Sequence, residues 1–295
     1  MALISLILTL VLTNLPFGRA NNDTPQKPPK PVVTTKLNLC TFNIQFLGAS
    51  KLRDHNALTD FLRKSNCDLV VVQELIAPPD LNKIPGNKYY NSKEKPKFPD
   101  GTEMKPNDLN TQFFLKMIEA GYKGYVLSEE DTGVSPTNHS NGTNTEYYVT
   151  FFKKALVRPT LAIPNGFLDT DRTQNPNWDR VPYAFAFKSR NNKFDFVLIS
   201  VHLHPGPGAR DRLRRKTELS AIYKWISDHS LKTTERDFII LGDMNLEDKK
   251  ELDDNLAVGF ASLNTDAATM TNTNVNGPKP YDHVIFNPTL TKEIA

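Results

Sequence analysis

Residues 37–75 read LNLCTFNIQFLGASKLRDHNALTDFLRKSNCDLVVVQEL, and this stretch decides the fold class. Residues 37–47 are rich in apolar and β-forming side chains, which predicts a strand. Residues 68–75 read DLVVVQEL, and the unbroken apolar run at residues 69–72 is of the kind that buried strands have. Between them, residues 51–65 carry apolar side chains at helical spacing. Strand, helix and strand in this order predict a β-α-β unit with two parallel strands.

The rest of the chain adds many short strands and few long helices. The predicted helices cover residues 109–120 and 209–229, and the predicted strands cover residues 147–152, 154–158, 183–187, 194–204, 237–245 and 281–286. Polar stretches at residues 77–107 and 128–145 separate the first of these elements. Strands in such numbers, with helices between only some of them, predict mixed sheets in an α/β protein.

Composition narrows the classes of function. The chain has 295 residues, of which 39% are apolar, so it can bury a substantial core and is not a disordered chain. Its 36 Lys and Arg residues against 33 Asp and Glu residues give a net charge of +3. Such a balance excludes a polybasic nucleic-acid binder. Affinity for a polyanion would have to come from local placement of charge or from a metal ion.

The N-terminal region is predicted to be a leader followed by a linker. Residues 1–20 contain an apolar stretch and end in Gly18-Arg19-Ala20, which predicts a signal peptide cleaved after Ala20 and a secreted protein. An uncleaved N-terminal anchor is the alternative. Residues 21–36 are rich in Pro and Lys and predict an extended tether. The folded domain is expected to cover residues 37–295, where no apolar run is long enough to span a membrane.

The two cysteines, Cys40 and Cys67, are expected to be buried thiols. If Asn43 and Glu74 end neighbouring parallel strands, Cys40 and Cys67 lie about four residues, or ~13 Å, out of register. The predicted compartment would permit a disulfide, but this offset disfavours one.

Polar side chains follow four apolar strands at the point where each strand ends. Loops at strand ends carry polar groups out of an apolar scaffold, which is where functional residues concentrate. Each residue alone has a structural explanation, as a turn former, a surface charge or a helix cap, but their joint occurrence favours a site. The candidates are Asn43, Glu74, His202, His204, Asp243 and Asn245.

The ordered motifs TFNI, QE, VHLH, GDMN and YDHVIF resemble the endonuclease/exonuclease/phosphatase superfamily, whose secreted branch includes deoxyribonuclease I. The resemblance extends from residue 37 to residue 286. It implies an α/β fold, namely a four-layered α/β sandwich of two mixed β-sheets flanked by helices. Arg180-Val181-Pro182 resembles the strand start that places a phosphate-contacting arginine in the deoxyribonuclease branch.

The resemblance also implies roles, and these agree with what hydrolysis of a phosphodiester requires. Mg²⁺ is the expected cofactor, with Mn²⁺ or Ca²⁺ as alternatives. A histidine two residues from another on the same strand face would donate to the phosphate or the leaving group, and we favour His202 over His204. The remaining implied roles are metal ligation by Glu74 and Asn43, orientation of water and phosphate by Asp243 and Asn245, alignment of a histidine base by Asp282, and phosphate contact by Arg180.

The sequence departs from the family pattern at its end. The family closes with Ser-Asp-His, whose histidine pairs with the aspartate that corresponds to Asp282, and the 295 residues contain no such motif. His283 is not a substitute, since adjacent strand residues point to opposite faces. We expect a fragment that lacks the last strand or two rather than a degenerate relative, and we expect the 295-residue form to lack a general base and to be inactive.

These observations predict a secreted Mg²⁺-dependent phosphodiesterase, first of all an endonuclease that hydrolyses nucleic acid, with DNA as the expected substrate. A sphingomyelinase-like or phosphatase-like phosphoesterase is the alternative within the enzymes. A non-catalytic secreted binding protein on the same fold is the alternative outside them. We expect a monomer without stable membrane association.

Overall fold

The computed structural model describes residues 10–12, 36–85, 106–133, 146–170, 176–264, 271, 277 and 279–291. The predicted leader and linker therefore lie almost entirely outside the described residues. The helices are α1 His55–Lys64, α2 Asp108–Glu119, α3 Ala209–Lys232 and α4 Lys249–Asn255, with a 3-10 turn at Leu81–Lys83. The strands are β1 Leu10–Leu12, β2 Leu37–Leu47, β3 Leu69–Leu75, β4 Gly124–Leu127, β5 Tyr147–Phe152, β6 Val157–Pro159, β7 Gly166–Phe167, β8 Tyr183–Ser189, β9 Asp195–His202, β10 Phe238–Asp243, β11 Ala261–Ser262 and β12 Asp282–Phe286.

The strands form two mixed sheets. The first has the order β1-β2-β3-β5-β4, and the second has the order β11-β12-β10-β9-β8-β6 with β7 paired to β8. Among the described strands, only β2 with β3 and β9 with β10 are parallel, and each of these pairs is joined by a helical crossover, through α1 and α3 respectively. The β-α-β unit predicted from residues 37–75 is confirmed.

Three apolar layers separate four layers of secondary structure. The first lies between the first sheet and helices α1 and α2, the second between the two sheets, and the third between the second sheet and helices α3 and α4. Strand β3 shows how the sequence encodes this arrangement: Val70 and Val72 belong to the first layer, whereas Leu69 and Val71 belong to the second. A strand buried on both faces needs apolar residues at consecutive positions. The predicted four-layered α/β sandwich is confirmed.

Helix α1 begins later than predicted. The predicted start at residue 51 is wrong because Asp54 caps the helix, its carboxylate accepting a hydrogen bond of 3.0 Å from the Ala57 N–H. Helix α3 continues to Lys232, beyond the predicted end at residue 229. Six short elements were not predicted, since two to seven residues carry too little periodicity to detect. These elements are β1, β4, β7, β11, α4 and the 3-10 turn.

The prediction of two free thiols is wrong. Cys40 and Cys67 form a disulfide with their Cα atoms 5.9 Å apart. The strand register is close to the one assumed, since Asn43 aligns with Gln73. However, Cys67 precedes β3 and directly follows the turn at Ser65 and Asn66, where Asn66 has a φ of +55° and the chain is not extended. A distance counted at strand rise per residue therefore overestimates the separation of the two sulfur atoms.

No helix in the described ranges is both long and apolar enough to cross a membrane.

Candidate active site

The two sheets bring four of the predicted strand ends to one edge of the sandwich. Asn43 lies within β2, just before the pairing of β2 with β3 shifts in register, and donates a hydrogen bond from Nδ2 to Oδ2 of Asp243, the last residue of β10, over 2.7 Å. His202 aligns with Asp243 in the parallel pairing of β9 and β10. Glu74 follows Gln73, the register partner of Asn43. Carboxyl ends of parallel strands thus meet where ligand sites of α/β proteins form.

Glu74 has an unusual backbone. Its φ of +63° lies in the left-handed region, and the pairing of β3 is irregular on both sides at this point. Its Oε2 accepts a hydrogen bond of 2.8 Å from the Phe46 N–H. Non-glycine residues in this conformation cost free energy and cluster at functional sites. The irregularity turns a half-buried carboxylate out of the strand and toward the sheet edge.

His202 is held by a partner that the sequence analysis missed. Its Nδ1–H donates to Glu146 Oε2 over 2.9 Å, and its Nε2 lies 3.9 Å from Asp243 Oδ2. Burial and the charge of Arg180 lower the pKa of His202, but Glu146 and Asp243 raise it more, so the net shift is upward. Glu146 directly precedes β5 and carries no local motif, so only its position before a buried strand could have suggested it.

Arg180 lies behind His202. Its Nη1 donates to the backbone carbonyl oxygens of His202 and Leu203 over 3.3 and 3.4 Å, and its side chain is almost fully buried. Burial lowers the pKa of Arg180, but the carboxylates of Glu146 and Glu74 raise it more. A permanent positive charge therefore stands beside the histidine and the two carboxylates. The predicted contact with phosphate stays a prediction.

The GDMN motif has a steric reason. Gly242 has a φ of +141°, and a Cβ atom there would lie 2.1 Å from the Val201 carbonyl oxygen, so only glycine fits. Asp243 Oδ1 then accepts the Asn245 N–H over 2.9 Å, and Asn245 Nδ2 donates to the Leu203 carbonyl over 3.0 Å. Asn245 has a φ of +50°. The motif thus fixes Asp243 and Asn245 as one unit beside His202.

Asp282 and His283 point in different directions, as predicted from strand alternation. Asp282 pairs with Asp243 across β12 and β10, and its buried Oδ1 has no partner among the described residues. Burial and then the charge of Asp243 raise the pKa of Asp282 well above its ordinary value. His283 Nδ1 lies 3.1 Å from Ser262 Oγ, and burial lowers its pKa to about 4. His283 is therefore outside the site.

His204 belongs to a different cluster from His202. The expectation that both lie on one strand face is wrong because β9 ends at His202. His204 Nε2 lies 3.0 Å from Asp211 Oδ1, and its Nδ1 bonds to Asp179. Burial lowers the pKa of His204, but these two hydrogen bonds raise it more. His204 thus fastens the chain after β9 to the start of α3.

A buried polar bridge crosses between the sheets below the site. Gln73 is fully buried, accepts a hydrogen bond from Thr41 Oγ1 at 3.2 Å and donates one to Ser200 Oγ at 3.1 Å. Thr41 and Ser200 each stand two residues before a site residue on their strands, Asn43 and His202, and Gln73 directly precedes Glu74. The bridge therefore fixes the spacing of the strands that carry the site.

The donor set fits a hard divalent cation held by few protein ligands. Glu74 Oε1 accepts no hydrogen bond from any described residue, and carboxylate and amide oxygens are the ligands that Mg²⁺ takes. In the described residues, no group of three or more His, Cys, Asp or Glu side chains is arranged to hold a metal ion. Mg²⁺ usually keeps several waters and needs only one or two carboxylates, so this arrangement suits it.

A two-sheet α/β sandwich with carboxylates, a paired histidine and an arginine at one edge defines a phosphoesterase-like fold. The model of the Endonuclease/Exonuclease/phosphatase family matches residues 40–293, and the chain therefore belongs to this family. Members of the family are phosphoesterases and nucleases that commonly use divalent metals, so the chain is classed with the hydrolases. No curated protein sequence matches the chain.

Solved structures share the fold at low sequence identity. The human nocturnin catalytic domain with bound sulfate has a TM-score of 0.54 at 12% identity, covering 85% of this chain and 81% of that chain. A Bacteroides thetaiotaomicron mannosyl-6-phosphatase has a TM-score of 0.52 at 13% identity, covering 86% of each chain. A humanized D. rerio TDP2 has a TM-score of 0.50 at 16% identity, covering 84% and 82%. At these identities the similarity concerns the fold alone.

Proposed function

We propose that this protein is a secreted, Mg²⁺-dependent phosphodiesterase that acts as an endonuclease on nucleic acid, with DNA as its first substrate. The observation that carries the proposal is the meeting of Asn43 and Glu74 on one sheet with Asp243 and the Glu146–His202 pair at the same edge of the sandwich. The set supplies a carboxylate for a cation, hydrogen-bond donors for phosphoryl oxygens and an imidazole for proton transfer.

Each residue receives one role in hydrolysis. Glu74, with Asn43 beside it, would hold Mg²⁺, which when bound neutralises charge on the phosphate. Arg180 and Asn245 would orient the phosphate. His202, whose pKa is raised by Glu146 and Asp243, would give its Nε2 proton to the oxygen that leaves when the phosphorus–oxygen bond breaks.

The proton of the attacking water needs an acceptor. Asp243 would orient this water, and Asp282 would orient the histidine of the family's closing motif, which the 295 residues do not contain and which would accept the proton. The buried Oδ1 of Asp282, without a partner in the described part of the chain, is the observation that supports this second role.

The proposed secretion draws support from the disulfide. Disulfides persist in oxidising compartments and are rare in the reducing cytosol. Cys40 and Cys67 are joined in the fold, which suits a protein that matures outside the cytosol.

Nicking of supercoiled plasmid by the protein expressed from its complete reading frame tests the proposal. We expect nicking with Mg²⁺, none with excess EDTA, and loss of activity in Glu74→Gln with an unchanged circular dichroism spectrum, because Glu74 contributes little to the core. Glu119→Gln on the exposed face of α2 is the matched control and should nick normally. If the protein hydrolyses sphingomyelin or sugar phosphates but not DNA, the proposed substrate is wrong. If it hydrolyses none of the three, a non-catalytic binding protein is favoured.

A further inference from the structure

Phe46 departs from the burial pattern of its strand. Its neighbours Phe42, Ile44 and Leu47 are at most 1% exposed, whereas the Phe46 side chain is 37% exposed. Its backbone φ is +49°, a conformation that aromatic residues rarely adopt. The conformation takes the residue out of the alternation of β2 and keeps part of an aromatic ring in solvent. An apolar ring held in this way needs an explanation beyond core packing.

The contacts that hold Phe46 come from the candidate site. Its N–H donates to Oε2 of Glu74 over 2.8 Å, so the ring belongs to a residue bonded directly to the proposed metal ligand. The carbonyl oxygen of Phe46 accepts the Ala49 N–H over 2.9 Å, which closes a turn. Arg53 Nη2 donates to the carbonyl oxygen of Gln45 and brings a positive charge to the same turn. The backbone of the residue that carries the exposed ring therefore contacts the carboxylate at which the phosphate would be cleaved, and the Arg53 cation interacts with the same carboxylate.

We propose that Phe46 is a stacking platform for a nucleobase next to the scissile phosphate, which makes unpaired or splayed nucleic acid the preferred substrate. This inference rests on the proposed nuclease function and specifies its substrate. A ring with only part of its surface exposed suits a planar partner, and stacking on aromatic side chains accepts any base. Arg53 would attract the phosphate backbone on the same side. The inference gives the strained backbone of Phe46 a function.

A lipid bilayer is the other partner that an exposed aromatic residue could contact. Leu52 lies in the same turn region and is 96% exposed, as expected of a residue that inserts into a bilayer. Phe46 is only partly exposed, and its backbone N–H is bonded to Glu74, which ties its main chain to the site. These differences favour a base over a bilayer for Phe46, and they make Leu52 the matched control.

The experiment compares two single-stranded oligonucleotides of equal length. One carries thymine at every position, and the other carries abasic tetrahydrofuran residues on both sides of the central phosphates. We expect Phe46→Ala to lower kcat/KM about 10-fold on the first and to leave the second unchanged, with Phe46→Trp restoring the wild-type ratio. Leu52→Ala should match the wild type on both.

Each alternative has its own outcome. Equal losses on both oligonucleotides would assign Phe46 a structural role, and no loss on either would overturn the inference. If Phe46→Ala and Leu52→Ala bind phosphatidylcholine–sphingomyelin vesicles more weakly than the wild type and cleave the oligonucleotides normally, the partner of Phe46 is a lipid bilayer and not a base. If the wild type cleaves neither oligonucleotide, the proposed nuclease function fails. Fluorescence anisotropy with the same two oligonucleotides, fluorescently labelled, then still decides whether Phe46 contacts bases. The inference requires that Phe46→Ala bind the thymine oligonucleotide more weakly than the wild type does, and the abasic oligonucleotide equally well.

Discussion

Glu146 Oε2 lies 2.9 Å from His202 Nδ1 although the two residues are 56 positions apart in the chain. A carboxylate on Nδ1 places that proton between the two side chains and fixes the orientation of the ring. The Nε2 atom then faces Asp243 Oδ2 at 3.9 Å. The histidine is therefore oriented before any substrate arrives.

Replacing Glu146 should impair the function of His202. We expect Glu146→Gln to lower kcat by roughly 100-fold, because the imidazole loses its charged partner. The carboxylate raises the pKa of His202, so its loss should move the alkaline limb of the kcat–pH profile to lower pH. Glu129→Gln is the control, since Glu129 accepts a hydrogen bond from Tyr183 and does not contact His202. An unshifted profile for Glu146→Gln would show that the pair does not govern proton transfer.

The hydrogen-bonded bridge through Gln73 should contribute measurably to the free energy of unfolding. Thr41→Val removes the hydroxyl that donates to Gln73 Oε1, and we expect a loss of about 1–2 kcal/mol in the free energy of unfolding. Thr150→Val makes the same change at another fully buried threonine, whose hydroxyl has no partner among the described residues, and should be neutral. Urea titrations give both values. Equal values for the two variants would show that the bridge contributes nothing.

Asp282 should reduce stability at neutral pH. Its folded-state pKa is raised by burial and by Asp243, so the folded state retains a proton that the unfolded state releases above its ordinary value of 3.8. Stability from this group is full below that value and falls as pH rises. We expect Asp282→Asn to have a higher Tm than wild type at pH 7, with the difference vanishing toward pH 3.5, and to have lower activity. A lower Tm at pH 7 would contradict this prediction.

His204 should stabilise the fold in its charged form, whereas Asp282 stabilises it in its neutral form. The carboxylates of Asp179 and Asp211 raise its folded-state pKa, so the contribution is full below its ordinary value of 6.5 and is lost as pH rises through the raised value. We expect the Tm difference between wild type and His204→Asn to be largest near pH 6 and to shrink at alkaline pH. Asp211→Asn should reduce the same difference. The kcat of His204→Asn should fall far less than that of His202→Ala, and the reverse ranking would transfer the proton-donor role to His204.

Local signals in the sequence were sufficient for the longer strands and for most of the residues that the structure brings together at the candidate site. Strand β2 was predicted with its observed bounds, Leu37–Leu47, because a long run of strand-forming residues depends little on the rest of the chain. The residues at the strand ends were found because each follows an apolar run. Their meeting at one edge follows from parallel pairing within each sheet.

Long-range and turn geometry escaped prediction. Glu146 was missed because its partner lies on another sheet and no spacing rule connects them. The disulfide was not predicted because strand spacing does not apply at Cys67, which lies between the turn after α1 and the start of β3. The positive φ of Glu74 and of Phe46 arises from an irregular strand pairing that neither residue type suggests.

The bond between Cys40 and Cys67 also closes a covalent ring around Asn43, Phe46 and helix α1, with a sequence separation of 27 residues. Such a ring lowers the conformational entropy of the unfolded chain, which stabilises the folded state by about 3.5 kcal/mol. The ring has a second effect that does not depend on this contribution to stability. A protease that cuts the turn between Phe46 and α1 leaves both new ends tied to the same body, so a nicked molecule migrates as one chain until a reductant separates it.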